Sequence, residues 1–383
     1  MNNKIKQLLE KGVKIPNPES VDISDEVIVD RISGEGVVIY SGCKIFGAST
    51  FISKGVNIGY EGPVTIENCE IGPYVKLKGG FFSRAVFLEK VTMGSGSHVR
   101  EGTILEEEAS CAHTVGLKQT ILFPFVTLGS LINFCDCFMS GGTSRSNHSE
   151  VGSSFIHFNY TPNQDKATPS LLGDVPRGVM IDQPPIFLGG QGGLVGPTRL
   201  EFGTITAAGT ICRKDELRTS RLILEARDKN VNIQYVQGMY QNTNRILLNN
   251  LVYIANLYAL REWYNNVRYQ FISDDFPIPM FKGLEEKLNI GIDERIKRLK
   301  EFKEKLNTPV ENLKEELFIK LKGLTGDKQK RDSFLESVLS GIQRNGKNYI
   351  AVIKGLYKKD KEIGSQWLQS IVDGFMKGFA ING

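Results

Sequence analysis

The chain has 383 residues, 40% of them hydrophobic, which is long enough for two domains and a sizeable core. Its 47 Lys and Arg nearly cancel 43 Asp and Glu, and a net charge of +4 gives no reason to expect a nucleic-acid partner. Six cysteines (Cys43, Cys69, Cys111, Cys135, Cys137, Cys212) occur without a CxxC pair, so reduced, buried thiols are expected rather than a zinc ribbon or a disulfide framework.

Residues 1–26 read as a helix and a lead-in. MNNKIKQLLEKGVKIPNPES has no continuous apolar segment of the secretion-signal kind, and no run in the chain is long enough to span a bilayer. A cytoplasmic protein without a membrane span is expected.

From residue 27 to 215 apolar residues recur six apart. Ile39, Ile45 and Phe51 begin the series, followed by Ile52, Ile58 and Val64, by Met93, Val99 and Leu105, by Leu122, Leu128 and Phe134, and by Leu188, Leu194 and Leu200. A helix repeats at 3.6 and a strand at 2, whereas a six-residue beat marks a parallel β-helix whose short strands each form one side of a coil. The phase slips between patches, as small insertions at the coil corners would cause. Gly59, Gly72, Gly94, Gly129 and Gly196 are expected at those corners for backbone angles that Cβ-bearing residues disfavour. Met93-Gly-Ser-Gly-Ser-His98 keeps the hexapeptide phase and therefore reads as a corner, not a nucleotide loop.

Residues 216–383 change character: glycines thin out and helical periodicity takes over. Residues 242–272 predict a long amphipathic helix with a stripe through Ile246, Leu247, Asn250, Leu251, Ile254, Leu257, Tyr258 and Arg261. Further helices are expected over 282–306, 310–321, 332–342, 348–357 and 365–379, punctuated by Pro277, Pro279 and Pro309.

The chemistry-bearing stretch is residues 155–174, FIHFNYTPNQDKATPSLLGD, which interrupts the repeat. Its wording, with the later FLGGQGGLVGPTRLEFGTITAAGTICRKD and the opening residues 18–27, resembles the hexapeptide-repeat acyltransferases. The branch is the acetyltransferase half of the bifunctional N-acetylglucosamine-1-phosphate uridylyltransferase/glucosamine-1-phosphate acetyltransferase, over roughly residues 13–215 by pattern. The resemblance implies a left-handed β-helix, a homotrimer with sites between neighbouring β-helices, acetyl-CoA as co-substrate, and no metal for the acetyl transfer.

Carried over residue by residue, the resemblance makes His157 the catalytic base. The alternative is His148, if part of a coil has been lost. Asn159, Tyr160 and Lys166 would bind the amino-sugar phosphate. Gly190 and Ala207 would offer backbone amides to CoA, and Arg213 its guanidinium to a CoA phosphate. Two departures stand out: the residues before the β-helix in this sequence contain no strand-led glycine-rich nucleotide loop of the uridylyltransferase kind, and His157 lies only two residues before Asn159.

Blander readings stand beside these. His157 equally reads as an inward residue of a coil, Arg145 as solvated, and Asp174 as a turn residue. Asp165 is a candidate for orienting a histidine, Gln191 sits between flexible glycine pairs, and the insertion 174–185, with Arg177 its one cation, is placed to cover a site. The function expected is N-acetylation of an amino-sugar phosphate such as glucosamine 1-phosphate, toward UDP-N-acetylglucosamine. Two alternatives are a related sugar-nucleotide enzyme working with a separate nucleotidyltransferase, and a non-catalytic sugar-nucleotide-binding scaffold.

Overall fold

The computed structural model describes residues 3–224, 240, 242–306, 318–319 and 321–379. After helix α1 (Asn3–Lys11) the chain winds into a left-handed parallel β-helix of three flat faces, and a helical region closes one of them. Every ladder between the faces' strands is parallel, and neighbours in a ladder are successive coils. The first face has ten strands, from Asp22–Ile23 to Ile211–Cys212. The second has ten, from Val38–Ile39 to Leu222–Ile223, and the third has eight, from Phe51–Ile52 to Arg199–Leu200. The β-helix thus begins before residue 27 and runs past residue 215.

The six-residue beat is one side of a three-sided coil. On the second face Ile39, Ile58, Leu77, Met93, Cys111, Leu128, Val151 and Leu188 stack in register as one buried inner column. Successive coils are mostly sixteen to nineteen residues long in that column, close to three sixes. The exceptions, Leu128 to Val151 and Val151 to Leu188, contain the two excursions from the repeat.

The corner glycines serve a different purpose from the one expected. Of Gly59, Gly72, Gly94, Gly129 and Gly196, only Gly59 has a positive φ, +90°. At Gly196 a Cβ would lie 2.1 Å from Thr168 O, and at Gly94 2.6 Å from Ala112 C, so these positions are glycine because the next chain segment passes too close for a side chain. Left-handed corners are taken by other glycines, such as Gly55, Gly96 and Gly102, and by Asn68, Tyr74, Lys90, Glu108 and Phe125, among others.

The helical region comprises α3 (Thr243–Asn266), α4 (Ile278–Glu304), α5 (Lys328–Asn345), α6 (Tyr349–Lys354) and α7 (Lys358–Phe379), with a short α2 (Val175–Gly178) inside the β-helix. Most of the expected 310–321 helix lies outside the described residues. Helix α3 ends six residues before the expected 272 and is not amphipathic. Leu247, Leu251, Tyr253, Leu257 and Trp263 are buried around most of its circumference, because the β-helix covers one side and α4 and α7 the others. Its asparagines are the polar ties: Asn250 donates to Ala167 O at 2.9 Å, Asn249 to Asp215 at 3.0 Å, and Asn256 accepts from Val175 N at 2.9 Å.

Helix α4 lies across the third face over strands Glu70–Ile71, Ala85–Phe87 and Thr103–Leu105. Charged side chains along that seam are buried and paired: Lys287 with Glu70 at 3.0 Å, and Arg295 with Asp136 at 2.8 Å. No described helix is long and apolar enough to cross a membrane. The third face is closed, and the outer surfaces of the first and second faces remain available.

Candidate functional site

Each excursion leaves the β-helix at a different edge. Loop 159–169 connects the first face to the third, the hairpin Gly142–Ser144/Asn147–His148 connects the third to the second, and Gly190 and Ala207 lie where the second returns to the first. Arg213 follows the last strand of the first face, on the same edge as Asn159. The predicted residues therefore do not converge within one chain, because His148 occupies the edge opposite the first face.

His157 is an interior residue. Only 2% of it is exposed, because the strand Ile156–Phe158 turns its outer residues to solvent and the one between them inward. Nδ1 lies 2.6 Å from Cys135 O, and Nε2 lies 2.8 Å from Ser170 Oγ. With both nitrogens engaged, one is the proton donor to the carbonyl and the other faces the hydroxyl. Burial depresses its pKa to about 4, against the opposing pull of Asp136. The residue expected as catalytic base thus lies in the interior with a hydrogen-bond partner at each ring nitrogen.

His148 is accessible but anchored. Its Nδ1 lies 2.8 Å from Arg145 O and its Nε2 3.6 Å from Glu150. Arg145 pins the hairpin through contacts of 3.0 Å to Glu108 O, Phe125 O and Thr127 Oγ1, so it is structural.

Loop 159–169 is held from both sides. Asn159 donates to Asp136 at 3.0 Å, Lys305 reaches Asn163 O and Gln164 O at 3.0 and 2.6 Å, and Arg295 contacts Lys166 O at 3.3 Å. Asp165 accepts from Thr161 and from Tyr240 at 3.3 Å, which gives it partners other than a histidine. Tyr160 is the exposed aromatic of the loop.

The insertion 174–185 packs on α7 and α3 instead of covering a site. Arg177 is committed to Asp174 and Glu201 with its guanidinium 4.9 Å above the Phe202 ring, and Asp174 caps α2. The amide expected at Ala207 is also engaged, donating to Ile223 O at 3.0 Å along the second-face ladder. Gly190 accepts from Gly209 N at 2.9 Å, and Arg213 is exposed with Nη1 3.2 Å from Ile211 O.

One concavity on the uncovered first face was missed in the sequence. Phe81, His98, Gly116, Asn133, Ile156, Gly193 and Ile211 stand in register as its outer column. Gly116 has no side chain, and the gap above it is a groove of about 520 Å³ flanked by His98, Arg100, Leu131, Asn133, Cys135 and Ile156. The signal was present: His98, Gly116 and Asn133 each lie between two buried residues one coil apart.

No family model matches the chain. It is 29% identical over 213 residues to the bifunctional protein GlmU of Thermotoga maritima, covering 55% of this chain and 42% of that protein. It is 27% identical over 210 residues to bifunctional protein GlmU of Trichlorobacter lovleyi, covering 55% and 40%. The polysialic acid O-acetyltransferase OatWY aligns over 60% of this chain and 90% of its own at 13% identity, with a TM-score of 0.17, too low to bear on fold or chemistry. The chain spans less than half the length of these curated relatives. Together with the β-helix they mark it as resembling the hexapeptide-repeat family of the bifunctional GlmU kind.

Proposed function

We propose that this chain transfers the acetyl group of acetyl-CoA to the amine of an amino-sugar phosphate of the glucosamine 1-phosphate type, using the uncovered first face. The observation that carries the reading is positional. The groove above Gly116 and the Gly190–Arg213 end of the β-helix belong to the same ladder, four strand spacings apart between Gly116 and Ile211. At about 4.8 Å per spacing that is roughly 19 Å, a length suited to an extended pantetheine arm.

In this reading Arg213 takes a CoA phosphate by charged hydrogen bonds. The exposed Ile156 and Phe158 flank the arm, Tyr160 stands at its edge, and the acceptor sugar sits in the groove with its phosphate toward Arg100. CoA contact with the Ala207 amide would require release of its bond to Ile223, so that contact is left out. The residue patterns that resemble the acetyltransferase half, and the GlmU relatives, support the same chemistry.

A trimer is part of the proposal. The third face is occupied by helices, while Phe187, Ile205 and Leu222 form an exposed apolar ladder in register on the second. Packing that ladder against the first face of a neighbouring copy would bury it and would bring one copy's second face beside the other's groove. The reduced cysteines and the co-substrate fit a cytoplasmic setting.

A second reading has a specific observation behind it: His157 is sealed, and loop 159–169 is clamped by α3 and α4. A sugar-nucleotide-binding scaffold that has lost turnover fits both. Calorimetry with CoA, together with thiol release from acetyl-CoA over a panel of amino-sugar phosphates, separates the two. CoA binding with thiol release upholds the transferase. UDP-sugar binding without CoA binding overturns it in favour of the scaffold.

A further inference from the structure

Resting on that reading, we infer that His98 is the residue that takes the amine proton. The chain has four histidines, and their surroundings differ sharply. His157 has both nitrogens engaged in the interior, His148 faces the far edge, and His113 has Nδ1 2.8 Å from Ser130 Oγ on the rim where the second face meets the first. His98 is exposed and lines the groove, and neither of its ring nitrogens has a hydrogen-bond partner among the described residues.

The ring is nevertheless positioned. Phe81, one coil earlier on the same outer column, stacks on it with centroids 5.0 Å apart and planes 25° apart. Such stacking limits rotation of the imidazole about its side-chain torsions and leaves its edge for a ligand. On the other side of His98 is Gly116, where a built Cβ would meet nothing closer than Asn133 Oδ1 at 3.7 Å, so the space beside the ring is open. The strands carrying His98 and Asn133 are two spacings apart, roughly 9 to 10 Å, leaving room between imidazole and carboxamide for a ring-shaped acceptor.

The chemistry balances with this one group. The neutral amine attacks the thioester carbonyl, the carbon–nitrogen bond forms, and the carbon–sulfur bond breaks with its electron pair on sulfur. His98 accepts the proton released from nitrogen and returns it to the thiolate, so the products are the N-acetyl sugar and CoA thiol. Asn133, across the groove, is placed to hold the acceptor. The charged or titratable groups that line the groove beside His98 are Arg100 and Cys135.

The test is acetyl-CoA thiol release with glucosamine 1-phosphate for the wild type, His98→Gln, His98→Ala with and without imidazole, and His148→Gln. The inference expects His98→Gln to lower kcat by about 100- to 10,000-fold while the KM for acetyl-CoA stays within about twofold. It also expects the acid limb of the kcat–pH profile to vanish and free imidazole to restore part of the rate of His98→Ala. An unchanged kcat in His98→Gln, or a comparable loss confined to His148→Gln, overturns it. A wild type that releases no thiol with any amino sugar fails the transferase reading itself and takes the proton-transfer role with it. Histidine ring NMR then judges the groove: a His98 signal moved by glucosamine 1-phosphate keeps the groove as the amino-sugar site, and an unmoved one removes it.

Discussion

Lys287 on α4 places its ammonium 3.0 Å from Glu70 on the third face of the β-helix, with side chains only 0% and 3% exposed. Burial holds the Glu70 carboxyl up at about 7 although the lysine pulls it down. The pair fixes where the helical region sits more than it stabilises it, since both charges have left water. Lys287→Met alone is expected to cost about 3–5 kcal/mol in denaturant unfolding by stranding Glu70, and Glu70→Leu combined with Lys287→Met to recover most of that loss. A double variant as unstable as the single one would refute the argument.

His157 predicts a pH dependence of opposite sign to that of Glu70. Its pKa falls from 6.5 to about 4 on folding, so the unfolded chain binds the proton more readily between those values. Its contribution is complete above pH 6.5 and is lost as pH falls toward 4, about 3 kcal/mol in all. Glu70 is raised, so its contribution is present at low pH and lost as pH rises through about 7. The two overlap near pH 6, and the check is the stability difference between wild type and His157→Gln at pH 7.5 and 4.5. That difference should shrink at the lower pH.

Gly116 can be filled without disturbing the β-helix, because its φ is not positive and the nearest atom to a new Cβ is 3.7 Å away. Gly116→Val should leave stability within about 0.5 kcal/mol and abolish binding of the amino-sugar phosphate, with CoA affinity retained. Calorimetry with each ligand separately checks it.

Arg213→Ala should weaken CoA binding by about 10- to 100-fold, the worth of one charged hydrogen bond or slightly more, with no change in the unfolding midpoint. Unaltered affinity would move the nucleotide end of CoA away from the last coil.

The β-helix was legible because its signal is periodic. Runs of buried residues six apart, such as Leu122, Leu128 and Phe134 or Leu188, Leu194 and Leu200, mark successive sides of a coil and need no knowledge of distant contacts. The existence of most helices was legible for the same reason. The sidedness of α3 was not, since Asn249 looks solvent-facing until Pro197 O and Asp215 are known to meet it, and Asn256 until the Val175 amide is.

The candidate site was less legible. A motif locates residues along the chain, while exposure depends on which side of a two-residue strand alternation each falls. His157 and Phe158 are neighbours in one strand, yet one is sealed and the other open to solvent. His98, Gly116 and Asn133 are far apart in sequence and become adjacent only when coils stack in register.

Sequence by itself determined the coil and the helices that follow it, because both follow from local spacing of apolar side chains. Tertiary structure decided which face the helices would close and which histidine would have no ring-nitrogen partner among the described residues. Those outcomes depend on ladder register and on buried pairs such as Lys287 with Glu70 and Arg295 with Asp136, whose partners meet only once the chain has folded back on itself.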